Sequence, residues 1–358
     1  MIISILAVLF TFGLVIFLHE FGHFLVCKLS GIRVEAFSFG FGPELLGRTR
    51  GDTRYSLRAI PLGGYVKPAG ESLDEVSGAP DEYFAKPWYI RLGVVFAGPF
   101  MNYLLAFVLF SGVILFVGEP VFSDQPVIGD LSQGYPAEEA GLKTGDRVLK
   151  LDGVAVETWA AMADKIYGKT EKELLVTYSR AGAEASVKLK TRKAPDGSGR
   201  GVIGIAPATV YVRKPFFKGL DMALHQCWYF TAITVKTLAS NIYHRQKPDL
   251  AGPIGIVTLV SKVAHTGLTE SVLLAGIISV AVGFFNLLPI PLLDGGWILL
   301  FLFEGVFRRK VTENVMKYVN GAGIAVLLSI MLFATYSDIM RVITARAAKK
   351  AAAQSQEK

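Results

Sequence analysis

The sequence predicts a polytopic α-helical membrane protein with four transmembrane helices, a membrane-associated β-hairpin loop after the first, and one inserted extracytoplasmic domain built of short strands. Three observations carry that prediction. The chain has 358 residues, a hydrophobic fraction of 52% and a mean hydropathy of +0.43, more apolar than a water-soluble chain of this length. The apolar residues gather into four runs long enough to cross about 30 Å of hydrocarbon. These are Ile2 to Val26, Leu92 to Val117, Ser271 to Pro289 and Gly321 to Met340. Between the second and third run, residues 122–208 are of soluble composition and alternate with period two.

Charge and cysteine content narrow the function classes. The net charge is +7, but the basic residues are spread over loops and are not clustered with exposed aromatics. That distribution fits membrane topology and contact with lipid, and argues against nucleic-acid binding. Cys27 and Cys227 are the only cysteines, so neither a disulfide framework nor a Cys-rich metal site is available. Any metal must be held by His and carboxylate.

The first run carries no charged side chain from Met1 to Leu18 and then ends in His19-Glu20-Phe21-Gly22-His23. It lacks the basic start and small-residue cleavage site of a signal peptide, and reads as a permanent span. On a helix, His19 and His23 share one face a turn apart and can hold one Zn²⁺, with Glu20 placed as general base for a water molecule. At about 1.5 Å per residue, His19 lies about 27 Å along the helix, near its far end. Polar residues at that depth are costly unless they face a polar interior.

After this span, Val34 to Val66 alternates aromatic and small residues around a Gly51-Asp52 turn, the pattern of a hairpin dipping into the membrane. The second span completes a first region, 1–117. In 122–208, a short helix is expected at Ala137 to Ala140, strands from Val148 to Val156 around an Asp152-Gly153 turn, a helix near Trp159 to Tyr167, and paired strands through Leu174 to Tyr178 and Ala185 to Leu189. Residues 209–270 are expected to form an amphipathic linker on the membrane surface. Within them Met222 to Tyr243 is nearly apolar enough to span, but it contains His225 and Lys236.

The third and fourth spans make up 271–345. Asp294 is the only acidic residue between Glu270 and Glu304, and it follows Pro289 and Pro291, which break the helix. If the third span enters on the same side as Met1, Asp294 arrives about 35 Å along, at the depth of the histidines, and supplies a third ligand. A further crossing by Met222 to Tyr243 would place it a membrane thickness away. Asn286 is a lone amide on an apolar helix; it either bonds a neighbouring helix or donates to the oxyanion of a tetrahedral intermediate. The loops after spans one and three carry Lys28, Arg33, Arg48, Arg50, Arg54 and Arg58, and Arg308, Arg309, Lys310 and Lys317. Positive-inside logic places both loops in the cytosol and both termini outside. The Ala/Lys/Gln-rich end, 346–358, is expected to be frayed.

Taken together, HEFGH at 19–23, the Asn286 to Gly296 stretch and Ala97-Gly98-Pro99-Phe100-Met101-Asn102 resemble the site-2 protease family of intramembrane zinc metalloproteases, of the bacterial regulator of sigma-E protease type. Gly134 to Leu149 resembles the PDZ pattern of secreted proteases. The resemblance implies Zn²⁺ held by His19, His23 and Asp294, Glu20 as catalytic base, and an oxyanion or positioning role for Asn286. It further implies a bacterial inner-membrane protein whose substrates are single-pass transmembrane proteins, among them an anti-sigma factor and remnant signal peptides. The middle departs from the family pattern, with one PDZ-like stretch where some members carry two. That domain is expected either to act as a steric gate toward substrate ectodomains, the preferred reading, or to bind a substrate segment as an added strand.

Overall fold

In the computed structural model, residues 2–244, 252–309 and 312–356 are described, and they form two units, one of residues 116–214 and one of the remainder. Four helical stretches are long and apolar enough to cross a membrane, Ile2–Leu29, Trp88–Val117, Leu268–Asn286 and Asn314–Arg341, in agreement with the four expected runs. Their exposed side chains include Phe10, Phe100, Phe285 and Leu332, as a lipid-facing surface requires.

The first helix, α1 (Ile2–Leu29), is followed by β1 (Val34–Arg50) and β2 (Thr53–Pro68), the expected hairpin. The hairpin is bound to α1 by stacked aromatic rings. Phe37 lies 4.6 Å from Phe24 and 5.6 Å from Phe17, and Phe39 lies 5.4 Å from Phe17. Aromatic residues at every second strand position meet aromatics at helical spacing, so both periodicities are satisfied by one contact surface. The next helix, α2 (Trp88–Gly112), extends through a π turn to Val117 and runs antiparallel to α1. Close approach requires Gly22: a Cβ there would lie 2.7 Å from the Ala97 carbonyl carbon and 2.8 Å from Met101 Cγ.

The second unit is β-rich. In chain order it contains β3 (Glu119–Phe122), β4 (Ile128–Leu131), α3 (Pro136–Glu139), β5 (Arg147–Leu151), β6 (Val154–Ala155), α4 (Trp159–Tyr167), β7 (Glu173–Arg180), β8 (Ala183–Lys190), β9 (Arg192–Lys193), β10 (Gly201–Val202), β11 (Ile205–Pro207) and β12 (Thr209–Val212). Strands β6, β5, β7 and β8 form an antiparallel sheet in that order. Ile128, Val148, Leu151, Met162, Leu174 and Val176 fill its core. Residues 209–212, expected in a linker, instead pair with β3 and close this unit, because β3 offers Thr209 to Val212 a full ladder.

Returning to the first unit, α5 (Phe216–Tyr243) is amphipathic as expected but does not lie as an isolated surface helix. It packs lengthwise against α2: Gly219 faces Leu115, Phe230 stacks on Phe110, and Tyr103 shares a hydrogen bond with Thr231. Ala223 and Cys227 are small enough to let the two helices meet. An apolar stripe looks the same in sequence whether lipid or another helix covers it.

Then α6 (Pro253–Val263) precedes α7 (Leu268–Asn286), α8 (Asp294–Phe307) and α9 (Glu313–Gln356). The half-length helix α8 lies between the expected third and fourth spans. The expected frayed tail is helical through Gln356, as its Ala- and Lys-rich composition favours; the last two residues of that tail fall outside the described ones. His265, just before α7, lies 3.1 Å from Ser4 near the start of α1. The far end of α7 carries Asn286 to the cavity that contains His19 and His23. The third long helix therefore runs in the same direction as the first, as shared metal ligation demanded.

A buried ion pair fixes α8 against α2. Arg91 Nη2 donates to Glu304 at 2.6 Å, with the two side chains only 4% and 11% exposed, and the guanidinium lies 4.6 Å from the centre of the Phe301 ring. Removing one partner strands the other charge. Glu304→Ala is expected to cost about 3–5 kcal/mol, read as a shift of the denaturation midpoint in detergent.

Candidate metal centre

The helical repeat of α1 places His19 and His23 one turn apart with their Nε2 atoms separated by 3.2 Å. Asp294 reaches them from the first position of α8. It is brought there by a non-helical connection after Asn286, in which Pro289 and Pro291 deny the helix its donors and Leu292 adopts a φ of +73°. A left-handed Leu costs about 1–3 kcal/mol and recurs where function demands a particular backbone path. Gly295 and Gly296 permit the connection to fold back, since a Cβ at Gly296 would lie 3.0 Å from the Ile290 carbonyl carbon.

Asp294 Oδ2 lies 3.1 Å from His19 Nε2, and Oδ1 lies 3.6 Å from His23 Nε2. One donor atom from each of the three residues falls within 4.8 Å of the others. Tetrahedral Zn²⁺ with bonds of about 2.0–2.1 Å separates its ligand atoms by about 3.3 Å, close to these spacings. Asp294 Oδ2 is buried without a hydrogen-bond donor, a costly arrangement that a cation would relieve. The residues present therefore fit Zn²⁺.

The two rings are oriented from behind. His23 Nδ1 donates to the Val94 carbonyl at 2.8 Å, which leaves Nε2 with its lone pair toward the cluster. His19 Nδ1 lies 3.1 Å from the Asn102 amide nitrogen, while Asn102 Oδ1 is buried without a partner. A half-turn of the amide exchanges the two atoms, so that Oδ1 accepts the Nδ1 proton and His19 Nε2 is free for a metal. Asn102 is itself held on α2 by Ser279 Oγ, which donates to its backbone carbonyl at 2.8 Å. Orienting partners of this kind affect metal affinity about 10–100-fold. Asn102→Ala is accordingly expected to weaken zinc retention by that factor against a competing chelator.

Glu20, one residue from His19, is not one of the three clustered donors and receives a hydrogen bond from the Val66 backbone of β2. It lines a cavity of about 320 Å³ together with the metal cluster, Asn286, Tyr83, Trp297 and Glu71. All five residues singled out from the sequence thus meet in one place. Glu71, Asn102 and Gly98 had no role assigned from sequence. Glu71 lies in the loop after β2 and lines the cavity. Gly98 and Asn102 stood in view within a Gly-Pro-x-x-Asn motif, but nothing local to α2 shows that they face the histidines.

Comparison with known proteins follows the same lines. The model of peptidase family M50 matches residues 7–330. The chain belongs to peptidase family M50. A candidate zinc metalloprotease of Clostridium acetobutylicum is 33% identical over 346 residues, covering 94% of this chain and 97% of that protein. A second candidate zinc metalloprotease, from Campylobacter jejuni, is 32% identical over 357 residues, covering 95% and 94%. The zinc metalloprotease RasP of Geobacillus kaustophilus is 30% identical over 417 residues, covering 94% and 98%. Among solved structures, the PDZ domain of an SdrC-like protein from Listeria monocytogenes matches at 24% identity with a TM-score of 0.22, covering 24% of this chain and 90% of that one. The M50 chain described here is thus a zinc metalloprotease carrying several membrane-length helices.

Proposed function

We propose that this M50 protease hydrolyses peptide bonds within or beside the transmembrane segments of single-pass membrane proteins, anti-sigma-factor-type proteins and remnant signal peptides among them. The observation that carries the reading is the convergence of His19, His23 and Asp294, from two distant helices, at the end of membrane-length α1. His19, His23 and Asp294 would hold the zinc, which when bound polarises the scissile carbonyl and makes an attacking water acidic. Glu20 takes the proton of the attacking water and returns it to the leaving amine. Asn286 lines the same cavity and is placed to donate to the oxygen on which charge develops.

Water must reach this chemistry without flooding the helix bundle. The cavity is the route for it, since its polar lining satisfies groups that hydrocarbon would leave unpaired. A transmembrane substrate must also leave helical geometry before its backbone can be cut. Val66 and Pro68 of β2 line the cavity, and an extended substrate segment would pair with that strand. The basic loops after α1 and α8 support a cytosolic-side active site with both termini outside, in a bacterial inner membrane. The β-rich unit would screen substrate ectodomains by size; deleting residues 125–208 should then broaden cleavage, whereas a recruiting unit would make cleavage fall.

The experiment is cleavage of a model single-span protein by the purified chain reconstituted in vesicles, with zinc content measured in parallel. Wild type should cut and contain zinc, and Asp294→Ala should lose both. Zinc-loaded wild type that binds but never cuts such spans would leave a metal-binding scaffold instead.

A further inference from the structure

The sheet of β1 and β2 carries a further cavity that the metal chemistry does not use. Residues Ala36 to Phe39 each have two partners on β2: Phe37 stands opposite Val66 and also opposite Tyr55. Further along β1, Arg48 stands opposite Tyr55 and Arg50 opposite Thr53. Opposed residues share a face of a sheet, as do residues two apart in a strand. Arg48, Arg50 and Tyr55 thus lie on one face, where they line a cavity of about 450 Å³.

Its depth can be read from α1. The Tyr55 ring lies 6.0 Å from the Phe24 ring, and Lys28 Nζ donates to Thr53 Oγ1 at 2.7 Å. Lys28 is the first basic side chain after the long apolar run of α1. The cavity therefore stands at the level where hydrocarbon gives way to headgroups. One step away on the same face, Leu46 stands opposite Leu57, and these are 69% and 40% exposed.

The two arginines are also unengaged. Arg54 is paired with Glu44, and Arg58 donates to Ser38, to the Gly42 carbonyl and to Tyr65. Among the described residues no carboxylate pairs with Arg48 or Arg50, and Asp52 in the intervening turn pairs with neither. Two free guanidinium forks and a phenol hydroxyl suit a phosphate, and the adjoining leucines suit an acyl chain.

We propose that Arg48, Arg50 and Tyr55 bind the phosphate of an anionic phospholipid whose acyl chains run along Leu46 and Leu57. Such a lipid would hold the strand pair whose opposite edge presents Val66 to Glu20.

The test is native mass spectrometry of the full chain in detergent with equal amounts of phosphatidylglycerol and phosphatidylcholine. Wild type should retain phosphatidylglycerol preferentially. R48Q/R50Q should lower that preference about thirtyfold, from roughly 1 kcal/mol for each basic group at an anionic surface. R50Q alone, a change at an exposed turn, should lower it about fivefold and serves if the double variant misfolds; unchanged zinc content reports the fold of each. Equal retention of both lipids by wild type overturns the proposal, as does a wild-type preference in folded R48Q/R50Q or in R50Q. Displacement of the lipid by soluble glycerol 3-phosphate would overturn it too, by showing a site for free phosphate.

Discussion

Glu20→Gln should leave one zinc per chain and lower cleavage of a reconstituted span by about 10²–10⁴-fold, the range that a positioned general base contributes. The substitution keeps shape and the hydrogen bond from Val66, and removes only the capacity to take a proton. Glu20 is not one of the three clustered donors, so metal content should not move. Metal analysis and cleavage on the same sample separate the outcomes. Zinc lost with activity would make Glu20 a ligand; retained activity would move the base elsewhere in the cavity. Glu71 is the other carboxylate there outside the metal cluster, so Glu71→Gln is the paired control and should keep cleavage above that of Glu20→Gln.

The second large effect comes from a residue without a functional group. Gly98→Ala should strip the metal and abolish cleavage, although it adds one methyl. A Cβ at this position would lie 2.5 Å from His23 Cε1 and 2.8 Å from His19 Cε1, inside the contact distance of both rings. Moving α2 away to accommodate the methyl is resisted by close packing on both of its sides. On one side Gly22 is seated on Ala97, and on the other a Cβ at Gly283 would lie 3.1 Å from Tyr103 and 3.2 Å from Asn102. Either the helices separate or the rings rotate, and rotation takes Nε2 out of the cluster. Overpacking of this kind costs about 1–3 kcal/mol in stability, a modest loss beside the loss of a ligand set. Gly93→Ala and Gly112→Ala are controls on the same helix: open space surrounds both, and neither should change zinc content. Full zinc occupancy in Gly98→Ala would show that the helices separate more readily than their packing implies.

How much of this was legible beforehand follows from the range of each interaction. His19 and His23 could be paired from spacing, because one helical turn fixes their geometry without any tertiary contact. The hairpin of β1 and β2 was legible from alternation and a Gly-Asp turn. Asp294 could be matched to the histidines by depth, because a bilayer restricts each span to one axis. Asn102 could not be assigned in this way. Its function depends on a contact with His19 across 83 residues of chain, and an amide on a helix carries no mark of the neighbour it faces. The same holds for α5, whose apolar stripe was read as facing lipid and in fact meets α2.

By itself the sequence determined the membrane-length helices and singled out the candidate metal donors and the carboxylate next to them, because hydropathy and helical spacing act along the chain. The tertiary structure decided which atoms converge, what orients each ring, how little room Gly98 leaves, and that Glu71 shares the cavity with Glu20. These depend on helices meeting at distances of a few ångströms, and close packing between segments is set by the shapes of both partners at once.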